Sequence, residues 1–79
     1  MSCISLRAID EEKNMDRLYV LSSHNGLMGS FCIYIRNARY GKSGQQRIYA
    51  FETEEEALAF MNRKVKQKLN SHYELHATD

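Results

Sequence analysis

The residues with the clearest chemical potential form a basic, glycine-interrupted stretch near the middle of the chain, Arg36–Arg47. It contains no carboxylate, and its cationic side chains are Arg36, Arg39, Lys42 and Arg47. Guanidinium and ammonium groups bind phosphate and carboxylate oxygens through charge-assisted hydrogen bonds. Gly41 and Gly44 can adopt positive φ or let a ligand approach the backbone closely. The stretch therefore predicts the binding of an anion rather than covalent chemistry.

Aromatic residues accompany these cations. Tyr40 lies inside the stretch, and Tyr34 and Tyr49 flank it. Rings interleaved with arginines can stack on nucleic-acid bases. For Tyr34 and Tyr49 we favour a simpler interpretation, a cross-strand aromatic pair on the open face of a hairpin. Tyr40 is therefore the better candidate for contact with a ligand.

Other chemistries have little support in the sequence. Cys3 and Cys32 are too far apart for the close cysteine pair of structural zinc, and the spacing of His72 and His76 does not compensate. Nothing in the sequence marks either thiol as a nucleophile. The Walker phosphate-binding pattern is absent. We therefore predict no enzymatic activity, no catalytic residue, no metal and no cofactor.

The composition limits the class of protein. The chain has 79 residues, a hydrophobic share of 43% and a net charge of +1, which is typical of one small soluble domain. Any affinity for a polyanion must then come from uneven placement of charge. The sequence begins with nothing like a signal peptide, and its apolar runs are far shorter than the roughly 20 residues of a membrane span. These features predict a cytoplasmic protein without membrane contact.

Strands should position the basic stretch. Phe31–Ile35 and Ile48–Phe51 are rich in β-branched and aromatic residues, so they predict a hairpin with the basic stretch as its loop. Ser5–Ile9 and Arg17–Leu21 have the pattern of two further strands. Asn25 and Gly26 give a strong turn signal, and Leu27–Gly29 can lengthen that connection.

A helix should cover one face of the sheet. Thr53–Glu56 forms a capping box that starts a helix, which ends near Asn70. Its predicted apolar stripe consists of Ala57, Leu58, Met61, Val65 and Leu69, with Phe60 at the border. The helix dipole accounts for the lysines near its end without a ligand. His72–Leu75 forms either a short edge strand or a tail on the helix. The predicted fold is α+β, a small antiparallel sheet of about four strands with one α-helix packed on one face.

Several segments together resemble the WGR domain family. Asn37–Gln45 is similar to its signature, W-G-R-hydrophobic-G-x-x-G-Q, with Asn37 and Ala38 in place of tryptophan and glycine. Phe51–Ala57 resembles the family's F-x-[ST]-x-x-E-A at the helix start. The positions that keep the signature are Arg39, Gly41, Gly44 and Gln45. The resemblance covers roughly residues 4–75 and implies a single WGR-like domain over residues 1–79.

The resemblance implies a non-catalytic nucleic-acid-binding module of bacterial type. WGR domains of poly(ADP-ribose) polymerases help to hold a DNA end, which the tryptophan and arginine of the motif face. Asn37 thus removes a stacking surface, whereas Arg39 keeps a charge directed at phosphate.

The leading hypothesis is a module that binds DNA or another polyanion through the hairpin loop. Its candidate contact residues are Arg36, Asn37, Arg39, Tyr40, Lys42, Gln45 and Arg47, with Gly41 and Gly44 shaping the loop. Four phosphate contacts would give a slope of about −3.6 for log K against log salt. The alternative is a protein interaction module that has lost nucleic-acid binding and associates with a protein partner or into a homodimer through a sheet edge or open face.

Overall fold

The computed structural model of the protein describes residues 2–26 and 29–78, so Leu27 and Met28 of the expected longer connection lie outside the described residues. Within these ranges no helix is both long and apolar enough to cross a membrane. The elements in chain order are β1 (Ser2–Asp10), β2 (Met15–Asn25), β3 (Phe31–Arg39), β4 (Gln45–Phe51), α1 (Glu54–Leu69) and β5 (Glu74–Thr78).

The strands form one antiparallel sheet in the order β4-β3-β2-β1-β5, and α1 packs on one of its faces. The predicted α+β architecture is confirmed, with β5 adding a fifth strand at the edge. The β2 strand is longer than the predicted Arg17–Leu21, because it pairs with β1 on one side and with β3 on the other. Ser22–Asn25, predicted to be part of the turn, therefore belongs to the strand.

The core lies between the sheet and the helix. Leu6, Leu21 and Ile33 are fully buried there, and Ala57 and Met61 of α1 pack against them. We call this face of the sheet the helix side and the opposite one the open face. Burial of these side chains stabilises the fold by about 1.5–3 kcal/mol for each large aliphatic residue.

The buried stripe of α1 is rotated from the predicted one. Leu58 and Leu69 are 43% and 47% exposed, so their predicted place in the stripe is wrong. Phe60 takes part instead, because its ring packs at 4.8 Å from that of Tyr49 and 5.1 Å from that of Phe51. Aromatic rings bury more area than leucine side chains, and their packing sets the rotation of the helix.

The ends of α1 follow from local hydrogen bonds. The Thr53 hydroxyl accepts the Glu56 amide at 3.2 Å, as predicted, and donates to the Glu56 carboxylate at 3.0 Å. At the other end the amide of Tyr73 donates to the carbonyl of Lys68 at 3.1 Å. His72, which directly precedes Tyr73, has a φ of 69°, a left-handed conformation in which glycine is the usual residue.

The predicted cross-strand pair of Tyr34 and Tyr49 does not form. Tyr34 lies opposite Ile48, and Tyr49 lies opposite Ile33, so the two rings occupy opposite faces of the sheet. Neighbouring residues of a strand alternate in direction, and Tyr49 is one residue out of phase with the position that a pair would need. Tyr34 packs instead against His24 on the open face, with ring centres 4.5 Å apart.

Two glycines shape the β3–β4 connection for different reasons. Gly41 and Gly44 both have positive φ, 85° and 64°. A Cβ atom added to Gly41 would meet nothing within 4 Å. One added to Gly44 would collide with the side chain of Ala38 and the carbonyl oxygen of Asn37. The end of the loop thus lies directly on β3, which leaves no room for a side chain at residue 44.

Replacing each of these glycines by alanine should separate backbone strain from steric overlap. Gly41→Ala adds only the strain of positive φ, about 1 kcal/mol of lost unfolding free energy. Gly44→Ala adds overlap with Ala38 and should cost at least about 2 kcal/mol more. Urea unfolding followed by circular dichroism measures both. Equal losses in the two variants would contradict the close approach of Gly44 to β3.

Candidate functional site

The basic stretch is mostly strand. Arg36, Asn37 and Arg39 lie in β3, whereas Gln45 and Arg47 lie in β4. The predicted hairpin exists, but its connection is limited to residues 40–44. The long β2 strand explains the difference, because its pairing with β3 continues as far as Arg17 opposite Arg39.

Strand alternation divides the four predicted cations between different surfaces. Arg39 and Arg47 are in phase with the buried Ile35 and lie on the helix side. Arg36 is in phase with Tyr34 and lies on the open face, opposite Gln46. Lys42 is exposed in the connection. The structure therefore brings Arg39 and Arg47 to one face and does not bring Arg36 to it.

Tyr40, the predicted stacking residue, is already engaged within the protein. The guanidinium carbon of Arg7 lies 3.7 Å from the centre of its ring, and the ring of His76 meets it edge-on at 5.9 Å. The Tyr40 amide also donates to the carbonyl of Asp16 at 2.8 Å. Arg7 thus occupies one face of the ring, although the side chain is 43% exposed. These contacts give Tyr40 a role in anchoring the loop to β1 and β5.

A cationic groove lies on the helix side, where the end of the β3–β4 hairpin faces the last turns of α1. Its volume is about 320 Å³. Of the predicted residues, Asn37, Gln45 and Arg47 line it, while Arg39 lies on the same face two residues beyond Asn37. The remaining residues that line it are Tyr19, Ile35, Tyr49, Lys64, Gln67 and Lys68. The wall thus combines cations and amides and contains no carboxylate.

Arg17 adds a further cation on the same face, next to Asn37 of the groove wall. It lies directly opposite Arg39 across β2 and β3, and its guanidinium donates to the Asn37 side-chain oxygen at 3.2 Å. Arg39 in turn donates to the carbonyl of Asn14 at 3.0 Å. Like charges directly opposite one another destabilise a sheet. Their repulsion makes a favourable place for an anion.

These cations are not neutralised within the described part of the chain. The ion pair found there joins Arg7 and Asp16, at 2.8 Å, on the open face. The groove cations that remain without an ion pair among the described residues are Arg17, Arg39, Arg47, Lys64 and Lys68. We call these five residues the groove cations.

Arg17, Lys64 and Lys68 are candidate site residues beyond those that the sequence predicts. The helix dipole sufficed to explain the lysines, and that explanation did not separate them by face. Their spacing of four residues was the available signal, because it places both on the side of the helix that carries Ala57, Phe60 and Met61. The spacing of Arg17 gives a similar signal, because it lies two residues before Tyr19 in β2 and therefore on the same face of the sheet.

A second cavity, of about 490 Å³, lies at the other end of the sheet. Its lining consists of Ser23, His24, Asn25, Phe31, Cys32, Glu54, Ala57 and Leu58. Although it is larger, it contains a carboxylate and no lysine or arginine, so its chemistry does not suit a polyanion. Among the residues that the structure describes, no group of three or more His, Cys, Asp or Glu side chains is arranged to hold a metal ion.

The Arg7–Asp16 pair links β1 to β2 on the open face of the sheet. Arg7 donates to both carboxylate oxygens of Asp16, at 2.9 Å and 2.8 Å. This hydrogen bonding holds the pKa of Asp16 below its ordinary value and raises the pKa of Arg7. On the helix side, burial raises the pKa of Tyr19, whose ring forms part of the groove wall and stays protonated near neutral pH.

Acid should weaken the fold in part through Asp16. Since the pKa of Asp16 is lower in the folded than in the unfolded chain, its contribution is complete above about pH 4 and is lost as pH falls through the folded value. Asp16→Asn should therefore reduce the fall in unfolding free energy below about pH 4. Urea unfolding at a series of pH values tests this, with Glu12→Gln as an exposed control. The same acid dependence in Asp16→Asn and wild type would contradict it.

Comparison with known proteins identifies the family of the chain. The family model for the WGR domain matches residues 2–78. A relative from Sinorhizobium fredii (strain NBRC 101917 / NGR234), Uncharacterized protein y4dW, is 31% identical over 65 residues, which make up 82% of this chain and 32% of the relative. The chain thus spans about a third of the length of this curated relative. No solved structure matches the chain significantly.

The match confirms the resemblance inferred from the sequence, and it extends from β1 to β5. The chain belongs to the WGR domain family, a family of nucleic-acid-binding modules.

Proposed function

We propose that this domain binds nucleic acid, without catalysis, through the cationic groove on the helix side of the sheet. The observation that carries the proposal is that Arg47, Lys64 and Lys68 line a groove without carboxylates, with Arg17 and Arg39 following on the same face of the sheet. None of these five groove cations has an ion pair among the described residues. Phosphate oxygens are the ligands best suited to such a site, and a regular phosphate backbone can engage several cations at once. The contact surface is then the face beside the hairpin loop rather than the loop itself.

Charges around the groove favour one direction of approach. The β1–β2 turn places Glu11 and Glu12 next to Asn14, whose carbonyl accepts a hydrogen bond from Arg39. Carboxylates there repel a polyanion, whereas Arg47 on the edge strand and Lys64 on the helix attract it. A nucleic acid should therefore lie along β4 and the end of α1 rather than across the β1–β2 turn.

The amides of the groove favour contacts with sugars or base edges. Asn37, Gln45 and Gln67 each present both a donor and an acceptor. Contacts to phosphate orient a protein on nucleic acid, whereas contacts to base edges distinguish one sequence from another. With asparagine at position 37, no ring extends there to stack on a strand end, so we expect weak preference for ends over continuous strands.

The two arginines of β3 distinguish the groove on the helix side from the open face as the binding surface. Arg39→Ala should weaken binding several-fold and reduce the steepness of the salt dependence by about 0.9 in log K against log salt. Arg36→Ala removes the same charge from the opposite face, three residues away. It should leave the affinity and the salt dependence nearly unchanged. Fluorescence anisotropy of labelled duplex and single strands at several salt concentrations measures these quantities. Binding by all five groove cations would give a wild-type slope of about −4.5.

The helix provides a second matched pair that does not touch the hairpin. Lys64 lines the groove, whereas Lys66 does not line it and is exposed. Lys64→Ala should weaken binding and Lys66→Ala should not. Circular dichroism controls for the fold of each variant. Equal effects of Lys64→Ala and Lys66→Ala, or a larger effect of Arg36→Ala than of Arg39→Ala, would rule out the groove. Absence of binding by the wild-type protein even at about 50 mM salt would rule out the function itself.

A further inference from the structure

The two edges of the sheet are protected to different degrees. The β5 edge is five residues long, carries Glu74 and is interrupted by a register shift between Ser5 and Leu6 of its neighbour. The β4 edge is seven residues long, and its pairing with β3 is unbroken from Phe51 to Gln45. Proteins usually shield edge strands by shortness, bulges, proline or charge. The β5 edge has three of these devices, whereas β4 has only the single charge of Arg47.

The edge strand β4 is also accessible to solvent over most of its length. Five of the seven residues of β4 are exposed, and Tyr49 and Phe51, which contact Phe60, are half-buried. Ile48 is 59% exposed on the open face, where it lies opposite Tyr34. An unshielded strand with an exposed aliphatic side chain at its centre is a template for another strand.

The sequence of β4 is complementary to itself. A seven-residue strand has Ile48 as its middle residue, so all seven residues find a partner in an antiparallel pair of two copies only when Ile48 lies opposite Ile48. Arg47 then faces Tyr49 on the helix side, and Gln46 faces Ala50 on the open face. No like charges lie directly opposite each other, because the two copies of Arg47 are diagonal neighbours. Each arginine lies directly beside an aromatic ring, which is a favourable cross-strand pair. A register centred on Arg47 would instead place two arginines opposite each other.

We propose that two copies of this chain associate through β4 into a symmetric dimer with one continuous ten-stranded sheet. The two-fold axis passes between the paired Ile48 side chains, which bury each other on the open face next to Tyr34. A two-fold axis of this kind keeps corresponding faces of the sheet on the same side. Both helices, and both sets of groove cations, therefore lie on one side of the assembly.

A second copy fits this edge better than an unrelated peptide. The pairs of Ile48 with Ile48 and of Arg47 with Tyr49 require the partner strand to carry the same sequence. A single strand pair buries less area than a standard protein interface, so association should be weak and depend on protein concentration. The dimer requires no nucleic acid, so its test does not depend on the groove.

Two isoleucines on the open face provide a matched test of the interface. Ile48→Lys places two ammonium groups at the axis and should weaken dimerisation at least tenfold. Ile9→Lys makes the same change at a residue of the same face and similar exposure, 58% against 59%, but in β1, and should leave dimerisation unchanged. Sedimentation equilibrium from about 5 to about 500 µM protein, without nucleic acid, measures the dissociation constant. Circular dichroism controls for folding.

Cross-linking tests the register directly. In a Cys3→Ser, Cys32→Ser background, Ile48→Cys should oxidise readily to a disulfide-linked dimer, because directly opposite residues of antiparallel strands lie within disulfide reach. Ile9→Cys should not, because seven strand spacings of about 4.8 Å put the two copies of that residue about 34 Å apart.

Three results would overturn the dimer. The first is a monomer over the whole concentration range, and the second is equal weakening by Ile48→Lys and Ile9→Lys. The third is equal cross-linking at the two positions, which would indicate random collision. A wild-type protein that forms the dimer but does not bind nucleic acid would count only against the groove. A wild-type protein that binds nucleic acid but stays monomeric would count only against the dimer.

Discussion

The unbroken pairing of β3 with β2 is the constraint on which the rest of the structure depends. It runs from Phe31 opposite Asn25 to Arg39 opposite Arg17 without a bulge. Because side chains alternate, burial of Ile33 and Ile35 under the helix dictates that Asn37 and Arg39 also point to the helix side. Burial of one isoleucine contributes about 1.5–3 kcal/mol, whereas opposed like charges cost at most about 1 kcal/mol. Packing at one end of the strand therefore imposes the charge cluster at the other.

The near-neutral net charge of +1 conceals a strong local separation of charge. The first turn of α1 carries Glu54–Glu56, and Lys68 lies in its last turn. Fourteen residues at 1.5 Å each separate Glu54 from Lys68 by about 21 Å along the helix axis, more than twice the Debye length of about 8 Å at physiological salt. The acids at the helix start are thus largely screened from the groove. A domain of small net charge can in this way present a local field that favours anions.

The sequence was sufficient for the fold class because its signals were local. Apolar alternation in β3 and the Thr53 cap depend on neighbouring residues, and both were recognised correctly. The strand limits depended on the partner strand, so Asn37 and Arg39 were assigned to a loop. The rotation of α1 depended on Phe60 packing between Tyr49 and Phe51, which is a contact between distant segments. The candidate site inherited both errors, because the direction of each cation follows from strand register and helix rotation.

The position of Lys68 has a further consequence for recognition. Its ammonium group lies 4.6 Å from the centre of the Tyr19 ring and 5.1 Å from that of Tyr73, so the two rings hold it at the groove wall. A free lysine side chain loses up to about 2 kcal/mol of rotamer entropy when it is fixed on a ligand. Lys68 has given up part of that freedom on folding. The groove therefore presents at least one cation that is already partly ordered before any anion arrives, which lowers the entropic cost of the first contact.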